Sequence, residues 1–244
     1  MSSPPPTLDG ILHRQDVWRG RRHQGMPHTG VDSGYALLNA ELLHGGWPRG
    51  TLIEICQKPF QGDWQLFLPA LRVHNQGVIA LLNPPAQPFS QAFIQANIDL
   101  ERLLVINAPD NADFLHCFSE MARSDDCAAM LAWQPRKGLS YSNLRKCLLA
   151  ATLSNAIHAL FRPWAAQRES SPAALRISTK YIDNELEFFI FKQKGILRSR
   201  QPQPVRLPLP ECWQAAQPYC ALDHSDIARN QSAGASALNL KAGT

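Results

Sequence analysis

Residues 51–74 read TLIEICQKPFQGDWQLFLPALRVH, and the fold turns on how this stretch is taken. Leu52, Ile53, Glu54, Ile55 and Cys56 form a short, nearly continuous apolar run, the pattern of a buried strand. Gln57 to Gly62 makes a turn with one glycine. Trp64, Leu66, Phe67 and Leu71 then supply the contacts of an amphipathic helix. Strand, glycine-bearing turn and helix is the order of a phosphate-binding loop, whose working pattern is G-x-x-x-x-G-K-[ST]. Aligned on Gly62, the first glycine position holds Gln57, the lysine position Asp63 and the Ser/Thr position Trp64. The frame of a nucleotide site is present and its chemistry is missing.

The segments on either side repeat the alternation. Upstream, Asp32 or Ser33 can cap a helix running to Leu43, Gly45 and Gly46 end it, and Pro48-Arg49-Gly50 turns into the first core strand. Downstream, strands are expected over 77–83, 102–107, 127–133 and 156–161. Helices are expected over 90–96, from a cap at Asn111 or Asp113 to Arg123, and over 140–153. Short apolar strands alternating with helices predict a mostly parallel sheet covered on both faces. After Pro163 the pattern changes. Residues 175–181 and 186–193 flank Asp183-Asn184 and read as an antiparallel hairpin. The expected organisation is an N-terminal arm with a short basic helix (1–28), an α/β core (29–195), and a basic, proline-rich tail (196–244) whose last residues, 223–244, have the composition of a disordered segment.

Composition sets outer limits. The chain has 244 residues, 45% of them apolar, which supports a sizeable core. A net charge of +4 permits an acidic partner without demanding one. No apolar run approaches the roughly 20 residues of a membrane span, and residues 1–10 lack the basic and apolar regions of a signal peptide. The six cysteines form no C-x-x-C pair; several sit inside apolar elements, where free Cys behaves as a small hydrophobe, and this suits a reducing cytoplasm.

Candidate chemistry is sparse. An aspartate in the lysine position would repel phosphate, since two unit charges 4 Å apart interact by ~4 kcal/mol at an effective dielectric of 20. Trp64 cannot ligate Mg²⁺ as a hydroxyl does. A hydrolase also needs an acid at the end of the 78–82 or the 127–133 strand. The first ends in Asn83-Pro84-Pro85 and the second in Trp133-Gln134. The expectation is no enzyme activity, no cofactor and no metal. His116 and Cys117 are adjacent on one helix and point apart, so they make no metal pair, and His158 lies in an apolar strand as a core histidine. What remains is contact chemistry. Between Phe188 and Pro210 there are five bases and no acid. Lys192, Lys194, Arg198 and Arg200 can meet a phosphate backbone, Trp213 and Tyr219 can anchor a partner, and Trp18, Arg21 and Arg22 give the arm a similar surface.

Residues 29–55, TGVDSGYALLNAELLHGGWPRGTLIEI, resemble the lead-in to the RecA recombinase core. Residues 92–108 are similar to the stretch carrying its third core strand, and residues 186–200, LEFFIFKQKGILRSR, to its late strand with a basic turn. A closer resemblance is to the ImuA family, RecA-like accessory proteins of bacterial SOS mutagenesis that overlap the SulA-like family. Its markers here are DVWRG (16–20), GGWPRG (45–50), FLPAL (67–71), NIDLERLLVI (97–106), MLAW (130–133), LFRP (160–163) and SPAALRI (171–177). The resemblance implies a RecA-like P-loop core with a degenerate loop, and a non-catalytic cytoplasmic factor of SOS-induced translesion DNA synthesis after DNA damage. Its implied partners are ImuB, an inactive polymerase relative, RecA, and an error-prone replicative-type polymerase, with weak DNA contact and no membrane. The alternative is a SulA-type inhibitor that binds the tubulin-like division protein. SulA proteins share only the centre of the chain, about 50–163, so the arm and the hairpin favour ImuA.

Overall fold

A computed structural model of the chain describes residues 30–58, 63–73, 76–182, 185–195 and 203–208. Eight strands form one sheet: β1 (Leu52–Gln57), β2 (Val78–Leu82), β3 (Leu103–Ile106), β4 (Cys127–Trp133), β5 (Ile157–Pro163), β6 (Leu175–Ile182), β7 (Glu185–Gln193) and β8 (Val205–Pro208). Their order across the sheet is β3-β2-β4-β5-β1-β6-β7-β8. From β3 to β6 every pairing is parallel. Strand β7 returns antiparallel to β6, and β8 is antiparallel to β7. The expected mostly parallel α/β sheet with a C-terminal hairpin is therefore present. The hairpin turn at Asp183-Asn184 lies outside the described residues.

The parallel strands are apolar on both sides because both faces are covered. Ile53, Ile55, Ile79, Leu81, Leu131 and Phe161 project to one face. There they meet α1 (Ala36–Glu41), a 3-10 turn (Asp63–Phe67) running into α2 (Leu68–Val73), and α3 (Ser90–Gln95), through Leu38, Phe67, Leu71 and Phe93. Leu52, Ala80, Leu82, Met130 and Leu160 project to the other face, under α4 (Asn111–Arg123) and α5 (Tyr141–Ala151), which contribute Phe114, Phe118, Leu144 and Cys147.

Several local expectations are corrected. The first helix is shorter than 32–43, because Asp32 and Ser33 do not cap it. Asp32 accepts from Gly34 N and Asn39 Nδ2, and Ser33 Oγ donates to Asn39 Oδ1, so the two residues close a polar loop before α1. Gly46 then lets the chain cross tightly. A Cβ there would stand 2.2 Å from the Val31 carbonyl oxygen, next to the bridge that pairs Val31 with Trp47. The helix after β1 starts as a 3-10 turn rather than as one amphipathic α-helix. Asp110, not Asn111 or Asp113, stands at the N-cap of α4, and Asn111 instead donates to the Gly138 carbonyl. Ser140 does cap α5, accepting from Asn143 N at 3.2 Å. Strand β8 was not expected. It is four residues taken from the proline-rich tail, paired to β7 and packed on the core through Leu207 and Val205.

The histidine in β5 behaves as its apolar neighbours dictate. His158 is fully buried beside Phe118, 6.1 Å between ring centres, with Ser154 Oγ 3.3 Å from Nε2. Burial disfavours the imidazolium and pushes its pKa down to about 4. An unfolded chain protonates this group near pH 6.5, so between those values the unfolded state binds the extra proton. The stabilisation is complete above about pH 6.5 and is lost as pH falls toward 4, a change on the order of 3 kcal/mol. We expect His158→Leu to remove most of that slope, read as urea unfolding free energies at pH 7, 5.5 and 4.5; an unchanged slope would contradict the assignment.

Candidate functional site

In open α/β sheets, ligands bind in the crevice beyond the carboxyl ends of the strands. The carboxyl end of β1, a central strand, lies between those of β5 and β6. Gln57, the last residue of β1, is buried, and its Oε1 has no hydrogen-bond partner among the described residues. Gly62 and the Asp63 side chain lie outside the described residues, although the Asp63 backbone begins the 3-10 turn. Trp64 is half-buried and stacks on Phe93, with ring centres 4.9 Å apart. The position where a hydroxyl would hold Mg²⁺ is thus an indole fixed against an aromatic ring.

More rings continue from there. On the same face of the sheet Trp47 stacks on Phe67 at 4.4 Å, Phe67 meets Phe161 edge-on at 6.1 Å, and Phe161 stacks on Trp133 at 4.6 Å. Trp133 ends β4 and Phe161 lies near the end of β5. The row ties two strand ends and the segment after β1 into one packed layer, each pair adding about 0.5–1.5 kcal/mol beyond area burial.

The residues that follow β2 and β4 are amides, one fastened to backbone and one to an arginine. Asn83 takes φ 55° just after β2, donates Nδ2–H to the Ala108 carbonyl at 2.6 Å, and accepts from Ala108 N at 2.5 Å. Gln134, just after β4, accepts from Arg162 Nε at 2.9 Å.

Arg162 leads to a charge cluster that the sequence reading missed. Glu54 on β1 is fully buried. It accepts from Arg176 Nε on β6 at 2.8 Å, from Arg162 Nη1 on β5 at 3.4 Å, and from Ser171 Oγ. Arg162 Nη2 also reaches Glu169 at 2.6 Å, and Arg176 donates to the carbonyls of Ala166 and Glu169. One clue was available: a single acid in the apolar run of β1, with one arginine each in β5 and β6. Cys56 lies against this cluster. Burial, reinforced by Glu54, pushes its thiol up to about 11, and burial does the same to Cys127, about 11, and Cys147, about 12. None of the three carries thiolate character at neutral pH.

The contact candidates divide. Lys192 turns inward and donates to the Ser171 carbonyl at 2.7 Å, with burial and the nearby Arg176 lowering its pKa. Lys194 is exposed in the turn after β7. Trp18, Arg21, Arg22, Arg198, Arg200 and Trp213 lie outside the described residues. Among the described residues no group of three or more His, Cys, Asp and Glu converges as a metal ligand set, and no helix is long and apolar enough to cross a membrane.

A surface not anticipated from the sequence borders the sheet's parallel edge. Among the described residues, strand β3 pairs only with β2. Leu104 (42% exposed) and Val105 (44%) lie on opposite sides of it, and Phe89 (70%), Ile94 and Leu100 are exposed nearby. A groove of about 570 Å³ runs between β3 and the 84–90 segment, with Phe93 and Val105 in its wall. An edge strand of this kind leaves backbone donors and acceptors open to a further strand.

No protein-family model matches the chain, and no curated protein matches it.

The charge cluster generates a stability expectation. Glu54→Ala leaves two arginines buried without their carboxylate and should cost about 3–5 kcal/mol. Denaturant titration at pH 7 measures it. A loss below about 1 kcal/mol would mean the cluster is not what holds β1, β5 and β6 in place.

Proposed function

We propose that the chain is a RecA-like P-loop domain that has lost its nucleotide chemistry and serves as a non-catalytic, cytoplasmic accessory protein of SOS-induced translesion DNA synthesis, as the ImuA-like motifs imply. The observation that carries the reading is the packed ring layer at the carboxyl end of β1. Trp64 stacks on Phe93 in the metal-ligand position, and Phe161 stacks on Trp133 where β4 ends. Asn83 and Gln134, in the two acid positions, are committed to backbone and arginine bonds. Such a domain acts by presenting surface. The edge of β3, with apolar side chains exposed on both sides beside a groove, is the surface best suited to a protein partner. An ImuB-like inactive polymerase and RecA are the partners this reading names, with an error-prone replicative-type polymerase behind them.

Two measurements test the reading. Tagged full-length protein should capture an ImuB-like protein or RecA, and Leu104→Asp with Val105→Lys should reduce that capture at least tenfold while leaving the far-ultraviolet spectrum unchanged. Capture of neither partner would sink the proposal. Filamentation of undamaged cells on overexpression would favour the SulA-type division inhibitor instead. Separately, Asp63→Lys combined with Trp64→Thr should yield no ATP hydrolysis, because the acid positions remain amides; phosphate release above the wild-type background would show that they had been misassigned.

A further inference from the structure

Among the described residues, nothing covers the outer side of helix α5. Leu144, Cys147, Ala150 and Ala151 are buried on its inner side. On the outer side Tyr141 is 50% exposed, Leu149 55% and, in the turn that follows the helix, Leu153 66%. With Arg145 they recur at every fourth position, 141, 145, 149 and 153, and so form one ridge along the helix. At the rise of a helix the ridge is ~18 Å long. A surface helix ordinarily turns polar residues outward. Tyr141, Leu149 and Leu153 break that rule in register, and none of them belongs to the packed core.

The charge on this part of the chain has one sign. From Cys127 to Arg168 there are six bases, Arg136, Lys137, Arg145, Lys146, Arg162 and Arg168, and no acid. Arg162 is buried on Glu54. Arg145 and Lys146 are exposed on α5 and form no ion pair among the described residues. The neighbouring acids belong to α4, which packs beside α5, and to the turn before β4. They are Asp110, met by Lys137 at 3.6 Å, Glu120, met by Arg123 at 3.5 Å, and Asp113, Asp125 and Asp126.

Charge and shape together select the occupant. In a two-fold contact with a second copy the same patch would meet itself, and Arg145 and Lys146 would face their own kind. A nucleic-acid strand needs a series of stacking faces, and here one ring is followed by two leucines. A straight apolar ridge fits the groove between side-chain rows of another helix, and unanswered bases along it call for carboxylates.

We propose that the outer face of α5 is a docking site for an amphipathic helix of another protein, which packs aliphatic side chains on Tyr141, Leu149 and Leu153 and sets carboxylates against Arg145 and Lys146. This face is separate from the β3 edge, because β2, β4 and β5 lie between that edge and β1, a strand that α5 touches. The proposal therefore stands whichever partner meets the edge. Its test uses full-length protein and a fluorescein-labelled peptide of three heptads, leucine at a and d and glutamate at e and g, diluted to the monomer. Anisotropy titration should give a dissociation constant at least tenfold lower than for a scrambled peptide of the same composition. Leu149 and Arg145 are both exposed, so changing them does not strain the core. Leu149→Asp and Arg145→Glu should each raise the constant at least fivefold with an unchanged far-ultraviolet spectrum. Arg72→Glu, on α2 across the sheet, should change it less than twofold. Equal affinity for the two peptides, or an Arg72→Glu effect as large as that of Arg145→Glu, would overturn the proposal. So would a thymidine oligonucleotide bound more tightly than the peptide and released by the same two α5 variants, or a dimer in sedimentation equilibrium that Leu149→Asp dissolves.

Discussion

The buried carboxylate of Glu54 is the constraint around which the centre of this sheet is arranged. It sits in the central strand with no water to solvate it, so its neighbours must bring donors: Arg162 from β5, Arg176 from β6 and Ser171 from the connection between them. The arginines have remaining protons to satisfy, and they do so on Glu169, Gln134 and the carbonyls of Ala166 and Glu169. The result fixes more than energy. Slipping β6 by one residue would turn Arg176 to the opposite, apolar face and leave Glu54 short of a partner. A buried ion pair gains little over a hydrophobic replacement of equal volume, but a shifted register costs an orphaned charge. The β5–β6 connection is held in a defined course for the same reason, because its carbonyls serve as the acceptors that complete Arg176.

The two faces of β1 use different physics to the same end. One side of the strand carries charge, and the other carries Ile53 and Ile55 beneath the ring layer of Trp47, Phe67, Phe161 and Trp133. A phosphate loop needs donors and open space at this end of the sheet. Here rings close in on one side, while the arginines on the other are already committed to carboxylates and carbonyls.

How much of this was legible in the sequence follows from how local each cause is. Strand β4 was read to the residue, because CAAMLAW is a bounded apolar run whose period and ends need no information from elsewhere. The start of α5 was equally local, expected at Ser140, which caps the helix three residues before the amide it binds. The cap of α4 was misplaced by a residue or more because Asp110, Asn111 and Asp113 are all competent and only the position of Gly138 decides how Asn111 is used. Strand β8 was invisible since its reason for being extended is an antiparallel neighbour, not its own pattern. The Glu54 cluster joins residues more than a hundred positions apart. A lone acid in an apolar strand marks a debt without naming the creditor. Lys192 was read as a base for an outside phosphate, and the fold turns it to an internal carbonyl.

Asn83 carries a consequence for how such a protein changes over time. Its amide both gives and receives a hydrogen bond with one residue, Ala108, and holds a left-handed backbone angle after β2. A carboxylate in its place could still accept from Ala108 N but would have nothing to give the Ala108 carbonyl, and a buried acceptor stripped of its donor costs about 1–3 kcal/mol. Gln134 is different, since the atom bonded to Arg162 is an oxygen that an acid would also provide. The two positions therefore have unequal reversibility. An acid introduced at the end of β4 would keep its arginine contact, whereas one introduced at the end of β2 would first cost stability.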